Sequence, residues 1–196
     1  MATAANAPTH PRTAPHLPGE TGVWVFIIGD MVAFAVMFGS YMYEQRGAPL
    51  SFLASQQALD VTVGTINTVL LLTGSLFVAY GVRAARAGTG RASVLFGLGF
   101  ACGLGFVINK AVEFGGKFAD GINPTTDTFF AYFFFMAGVH LLHVLGGMAV
   151  LAYLGRVARR PVLNGKEIRV VENGASYWHL VDVLWIVLFP LLYLVH

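Results

Sequence analysis

The residues best suited to chemistry in this sequence are ionisable side chains inside long apolar runs. The final run, NGASYWHLVDVLWIVLFPLLYLVH, contains His179 and Asp182, and an earlier run contains His140 and His143 in an HxxH pattern. Such groups cost at least a few kcal/mol each at the centre of a bilayer and usually face a partner. They therefore mark the candidate site. The remaining candidates of this kind are Asp30, Lys110, Glu113 and Glu172.

The spacing of these groups predicts a shared depth. At a rise of about 1.5 Å per helical residue, four of them lie at similar distances from one side of the membrane. Glu172 precedes His179 by seven residues, which is two helical turns, and so extends the set along the last helix. We call this predicted buried network the polar layer, and its members are Asp30, His143, Glu172, His179 and Asp182.

Three interpretations of the polar layer remain open. The histidines and a carboxylate could ligate a metal, although HxxH by itself is weakly specific. The layer could carry protons or ions, although no polar chain continues into the other half of the membrane. The third interpretation is structural and is the one we favour: the side chains join helices through hydrogen bonds and charge pairs. It predicts that Asp30 and His143 are the partners of His179 and Asp182.

The elements that position these side chains are membrane helices. Of 196 residues, 56% are hydrophobic and 11% are charged, whereas a soluble domain is about 25% charged. Five apolar runs match the ~20 residues that a helix needs to cross the hydrocarbon. Continuous apolar character favours helices over barrel strands, which alternate. The sequence predicts an all-α membrane protein, a five-transmembrane-helix bundle with spans at 22–43, 61–82, 92–109, 128–155 and 174–195.

Basic residues predict how the bundle is oriented. Nine lie in the N-terminal tail and in the second and fourth loops, against two, Arg46 and Lys117, in the other loops. The positive-inside rule then predicts a cytoplasmic N-terminus and a C-terminus on the outer side of the membrane. Residues 1–20 are predicted to be a disordered cytoplasmic tail and residues 21–196 a single membrane domain. The nine residues are Arg12, Arg83, Arg86, Arg91, Arg156, Arg159, Arg160, Lys166 and Arg169.

Other features exclude some functions and predict contacts. The net charge of +2 is too small for nucleic-acid binding, and the single Cys102 forms no disulfide framework or thiolate metal cage. Small residues at helical spacing, as in GLGFACGLGF, predict close helix packing within this bundle or against another subunit. Large or amphipathic rings predict lipid or subunit contacts at Trp24, His140, Trp178 and Trp185.

Five blocks of the sequence, in order, resemble the haem-copper oxidase subunit III family. They are PGETGVWVFIIGDMVAFAVMFGSYMY, INTVLLLTGS, GFVINKAVEFGGK, FFFMAGVHLLHVLGGMAVL and ENGASYWHLVDVLWIVLFPLLYLV. The resemblance covers residues 18–196, and it implies a bacterial inner (plasma) membrane, so that the predicted outer side of the C-terminus is periplasmic. It implies a helical subunit without redox cofactors of its own that holds phospholipid and binds a catalytic subunit, in which the haem and any non-haem metal reside.

The resemblance also assigns individual residues. Asp30 lies where the family usually has a buried, carbodiimide-reactive glutamate, and Lys110 with Glu113 matches a Lys-x-x-Glu-aromatic block at the outer end of the third span. Short five-helix chains with Gly-Asp here resemble the E-type accessory subunit of nitric oxide reductase. The implied function is therefore a non-catalytic accessory subunit of nitric oxide reductase that supports assembly, stability or sustained activity. The alternatives are subunit III of a cytochrome c or quinol oxidase, and a free-standing transporter or metal protein.

Overall fold

The computed structural model describes residues 21–160 and 162–194, and these ranges fold into six α-helices. The predicted disordered tail, 1–20, lies outside the described residues. Five of the six helices are long and apolar enough to span a membrane, which confirms the predicted all-α architecture. The helices are α1 Thr21–Gly47, α2 Pro49–Gln56, α3 Val61–Arg86, α4 Ala92–Ala119, α5 Thr128–Val157 and α6 Gly165–Tyr193.

Two helix boundaries differ most from those predicted. Helix α4 continues ten residues beyond the predicted end of its span, and α6 begins nine residues before the predicted start. Charged residues interrupt the apolar runs there, but they do not interrupt the backbone hydrogen bonds. Helix α6 begins with a capping box, in which the Asn164 side chain accepts from the amide of Glu167 and the Glu167 side chain accepts from the amide of Asn164.

Four of the long helices form a closed ring, and α1 lies outside it. Helix α3 packs on α4, α4 on α5, α5 on α6 and α6 on α3, while α1 leans against α5 and α6. Only 17% of the apolar window of α1 is buried, against 56% of that of α6. Helix α6 is therefore the core of the fold and α1 its periphery. Apolar side chains of α1 such as Val25 and Val36 are more than half exposed.

Trp178 of α6 fills the centre of the ring. Its indole is 1% exposed. It occupies the space that a side chain would need at either of two glycines on neighbouring helices. A Cβ on Gly103 of α4 would lie 2.9 Å from Trp178 Cη2, and one on Gly147 of α5 would lie 2.9 Å from Trp178 Cε3. The small residues predicted to pack helices therefore do so here within one chain. Gly138 of α5 is different, since a Cβ there would meet nothing within 4 Å.

Helix α2 closes the end of the bundle that is distant from the start of α1, which we call the α2 end. The side-chain amide of Gln56 donates to the backbone oxygen of Leu192 at 2.9 Å, and Ser55 Oγ donates to Asp127 Oδ2 at 2.5 Å. Asp60 caps α3 by accepting from an amide in its first turn, and this hydrogen bond lowers the pKa of the Asp60 carboxyl. The opposite end, where α1 and α6 begin, is the basic end.

Candidate polar sites within the bundle

At the α2 end a buried lysine is held by a carboxylate and a phenol. Lys110 is 0% exposed, and its Nζ donates to Glu113 Oε2 at 2.7 Å and to the Tyr193 hydroxyl at 2.8 Å. Tyr193 in turn donates to Glu113 Oε1 at 2.6 Å. We call these three residues the lysine triad. Its ammonium and carboxylate neutralise each other, and the hydrogen bonds join α4 to the last turn of α6.

Aromatic rings enclose the rest of the ammonium. Lys110 Nζ lies 4.8 Å from the ring centre of Trp185, 5.2 Å from that of Phe133, 5.3 Å from that of Tyr193 and 5.7 Å from that of Phe114. Each ring face is electronegative and attracts a cation within about 6 Å. These four rings therefore bring side chains of α4, α5 and α6 to one positive charge. They stabilise the Lys110 ammonium where water is excluded.

Asp30 of α1 forms a hydrogen bond with His143 of α5. His143 Nδ1 is 2.8 Å from the backbone oxygen of Val139, which can only accept, so Nδ1 carries a hydrogen. His143 Nε2 lies 3.0 Å from Asp30 Oδ1. That contact is favourable only when a proton sits on Nε2 or on the carboxyl group. This hydrogen bond links α1 to the ring.

Another polar contact of α1 lies nearer the α2 end. Ser40 Oγ and the Tyr132 hydroxyl are 2.6 Å apart, and either can donate. These two contacts, ten residues apart on α1, fix its position on α5. They matter because α1 buries little apolar surface of its own.

His179 and Asp182 of α6 lie against α3 instead of α1. His179 Nδ1 is 2.7 Å from Ser75 Oγ, and the Asp182 carboxyl group, which is 6% exposed, lies beside both. Among the described residues no hydrogen bond joins His179 or Asp182 to Asp30 or His143. The predicted pairing between these residues is therefore not what the structure contains.

Glu172, the fifth member of the predicted layer, forms a third group. Its carboxylate pairs with Arg86 of α3 at 2.8 Å at the basic end of the bundle. The polar layer is thus divided into an α1–α5 pair and two α3–α6 groups. The reason is the ring: α6 presents one side to α3 and another to α5, and hydrogen bonds join only side chains on facing surfaces.

Three of the four predicted lipid or subunit contacts are buried inside the bundle, and for these the prediction is wrong. Trp178 is 1% exposed, and Trp185 and His140 are 0% exposed. His140 packs between the rings of Phe106 and Trp185, with centroid distances of 5.5 and 5.2 Å. The Trp178 ring fills space that Gly103 and Gly147 leave between helices. Trp24, near the start of α1, is partly exposed.

The predicted metal ligands do not converge. His140 faces the rings of α4 and α6, whereas His143 faces α1. Across residues 21–160 and 162–194, no group of three or more His, Cys, Asp and Glu side chains could hold a metal ion. The histidines that the structure describes in the spans instead contact aromatic rings, a serine and an aspartate.

Several residues of these groups were not among the predicted site residues, and Tyr193 and Ser75 are two of them. Tyr193 completes the lysine triad, and Ser75 is the partner of His179. Tyr193 could have been found from the sequence, because a lysine inside an apolar helix needs a partner and the last helix ends at the same side of the membrane. Ser75 carries no such signal, since a serine in a membrane helix can satisfy its hydroxyl on its own backbone.

Comparison with known proteins shows which protein family this chain resembles. A family model described as cytochrome c oxidase subunit III matches residues 17–196. Cytochrome c oxidase subunit 3 of Bacillus sp. (strain PS3) is 29% identical, over 98% of this chain and 94% of that protein. The protein of the same name from Thermostichus vulcanus is 30% identical, over 88% and 85%. Cytochrome bo(3) ubiquinol oxidase subunit 3 of Pseudomonas aeruginosa is 26% identical, over 88% and 83%.

Proposed function

Since this chain belongs to the cytochrome c oxidase subunit III family, we propose that it is the accessory subunit III of a bacterial respiratory oxidase. In this role it binds the catalytic haem-copper subunit within the plasma membrane and has no redox cofactor of its own. It supports the assembly, stability or sustained activity of that complex. The observation that carries the proposal is the match over 17–196, which includes all five spanning helices.

The relatives favour an oxygen-reducing partner. Those named above are subunits of cytochrome c and ubiquinol oxidases. The prediction of a nitric oxide reductase subunit relied partly on the short five-helix length. This chain covers 94% of the Bacillus oxidase subunit, so that length also occurs among oxidase subunits and does not distinguish the two complexes. Nitric oxide reductase remains an alternative for the experiment to decide.

The fold suits an accessory role. Within the ring Lys110 pairs with Glu113 and Arg86 pairs with Glu172, and the exterior of α1 is apolar. A bundle of this kind can cover a flank of the catalytic subunit and retain or exclude phospholipid there. We therefore expect its loss to shorten the working life of the complex more than it changes the reaction.

The test begins with the native complex. A tag at the N-terminus, mild detergent extraction, mass spectrometry and a visible spectrum would identify the co-purifying subunits. A haem-containing oxidase subunit in fixed proportion supports the proposal, and a nitric oxide reductase subunit instead establishes the alternative. A colourless chain recovered alone in several mild detergents overturns the accessory role and favours a free-standing transporter or metal protein.

A second measurement tests what the subunit contributes. Membranes with and without this chain would be compared for the initial rate of oxygen consumption and for its decline over successive turnovers. We expect similar initial rates per haem and a faster decline without the chain. An equal decline, with equal recovery of the catalytic subunit, contradicts the role in sustained activity.

A further inference from the structure

A groove at the basic end of the bundle lies between the first turns of α1 and the seam of α5 and α6. We call it the α1 groove, and its volume is about 450 Å³. Gly22 and Phe26 of α1 line one side, and Val170 and Tyr177 of α6 line another. The described residues that line it include no charged side chain, and most of them are apolar. The remaining lining is Val150, Tyr153, Leu154, Asn173 and Gly174.

The α1 groove exists because α6 begins well before α1. Both helices begin at the basic end, and the rings of Phe26 and Tyr177 contact each other with centroids 6.0 Å apart. Phe26 lies five residues after the start of α1, whereas Tyr177 lies twelve residues after the start of α6. At 1.5 Å per residue, the difference of seven residues extends α6 about 10 Å beyond the start of α1. Val170, which is 38% exposed, lies on this uncovered surface. The chain that precedes Thr21 therefore begins beside it.

The sequence just before α1 can return an apolar side chain to the groove. Residues 17–20 are Leu-Pro-Gly-Glu. Proline and glycine in second and third place are typical of a type II β-turn, because proline fixes φ near −65° and glycine accepts the positive φ that the turn requires. Such a turn brings its first and last Cα atoms within about 7 Å. Leu17 would then lie close to Glu20 and to the groove, where Gly22 leaves open space.

We propose that the Leu17 side chain occupies the α1 groove and holds the start of α1 against α5 and α6. The occupant is thus a segment of this chain, 17–20, and residues 1–16 are not part of the contact. Because the segment is tethered directly to α1, its association loses little translational freedom. Helix α1 needs such a contact, since only 17% of its apolar window is buried. Its polar contacts through Asp30 and Ser40 lie further from the basic end.

Thiol labelling at position 170 tests this contact. Val170→Cys would be introduced into the full chain together with Cys102→Ala, so that the variant has one thiol. The rate of its reaction with a hydrophilic maleimide would be measured in mild detergent. With the native tail we expect slow labelling, because Leu17 covers the groove. Adding Leu17→Ser should raise the rate about tenfold or more, the factor that corresponds to burial of one leucine side chain. An unchanged rate would overturn the proposal, whether lipid, detergent or nothing covers the groove.

A matched control uses Tyr80→Cys in the same background. Tyr80 is 49% exposed at the basic end, but it lies on α3 and outside the α1 groove. Leu17→Ser should leave its labelling rate unchanged, and an equal increase would mean that the substitution loosens the whole bundle, which contradicts the proposal.

Disulfide formation gives an independent measure of where the segment lies. Leu17→Cys should form a disulfide with Val170→Cys severalfold faster than Thr13→Cys does, since Thr13 lies outside the proposed turn. Equal rates for the two pairs would show that the segment has no fixed position and would overturn the proposal.

Discussion

The lysine triad yields the sharpest prediction, because it contains an ion pair excluded from water. Lys110 is 0% exposed and Glu113 is 5% exposed. Removing one partner of a buried pair costs about 3–5 kcal/mol, because it leaves the other charge uncompensated. The variant Glu113→Gln keeps an oxygen that can accept from Tyr193 but removes the carboxylate charge. It therefore tests charge compensation and not the hydrogen bond alone.

The surroundings of each charge refine the magnitude. In Glu113→Gln the ammonium keeps the Tyr193 oxygen at 2.8 Å and four ring faces within 5.7 Å, so we expect a cost near 3 kcal/mol. In Lys110→Met the carboxylate keeps only the Tyr193 hydroxyl, and we expect about 5 kcal/mol. The double variant contains neither charge and should be more stable than either single variant.

Unfolding in mixed micelles with increasing dodecyl sulfate, followed by tryptophan fluorescence, measures these free energies. Trp185 lies 4.8 Å from the Lys110 ammonium and reports on the site. Glu44→Gln makes the same chemical change on the exposed surface of α1 and should be neutral. A coupling energy of about 0.6 kcal/mol, as is usual for hydrogen bonds between membrane helices, would refute the charge argument.

Three further predictions concern the rest of the bundle. Ser75→Ala leaves His179 Nδ1 without its partner and should cost about 1–3 kcal/mol in the same unfolding assay, so no change would mean that the contact is not formed. Gly103→Ala should destabilise by about 1–3 kcal/mol because its Cβ meets an indole, whereas Gly97→Ala, in open space on the same helix, should stabilise or be neutral; the reverse order would contradict the packing described here. Because its cap bond lowers the pKa of Asp60, that carboxyl contributes stability above its unfolded pKa of about 3.9 and loses it as pH falls through the lower folded pKa. An asparagine at that position keeps the cap and should remove this part of the pH dependence of the melting temperature.

The long helices were predictable because hydrocarbon imposes a simple requirement. Every backbone polar group must be satisfied within the segment, so long apolar runs form helices. The sequence could not give the ends of α4 and α6, because a helix continues through charged residues once these reach the interface. Helix α2 was not predicted, since its eight residues are too few to span and its position depends on Gln56 reaching the end of α6.

The pair of Lys110 and Glu113 was also predictable, since residues three apart on one helix are neighbours wherever the helix lies. The polar layer was not. Depth along each helix follows from the number of residues, but the direction in which a side chain points depends on which helices face each other. Asp30 and His179 lie on helices that both contact α5, yet Asp30 faces His143 and His179 faces Ser75.

The sequence by itself determined that the chain lies in a membrane, how many spans it has and which ionisable side chains lie within them. These properties follow from local composition and the fixed rise of a helix. Only the tertiary structure decided which side chains pair, because pairing needs atoms within about 3 Å and so depends on helix order and rotation. Helix order and rotation also decide that Trp178 and Trp185 are buried, although their amphipathic rings would suit a membrane interface equally well. Glycines on facing helices left the space at the centre of the ring, and the Trp178 indole fills it.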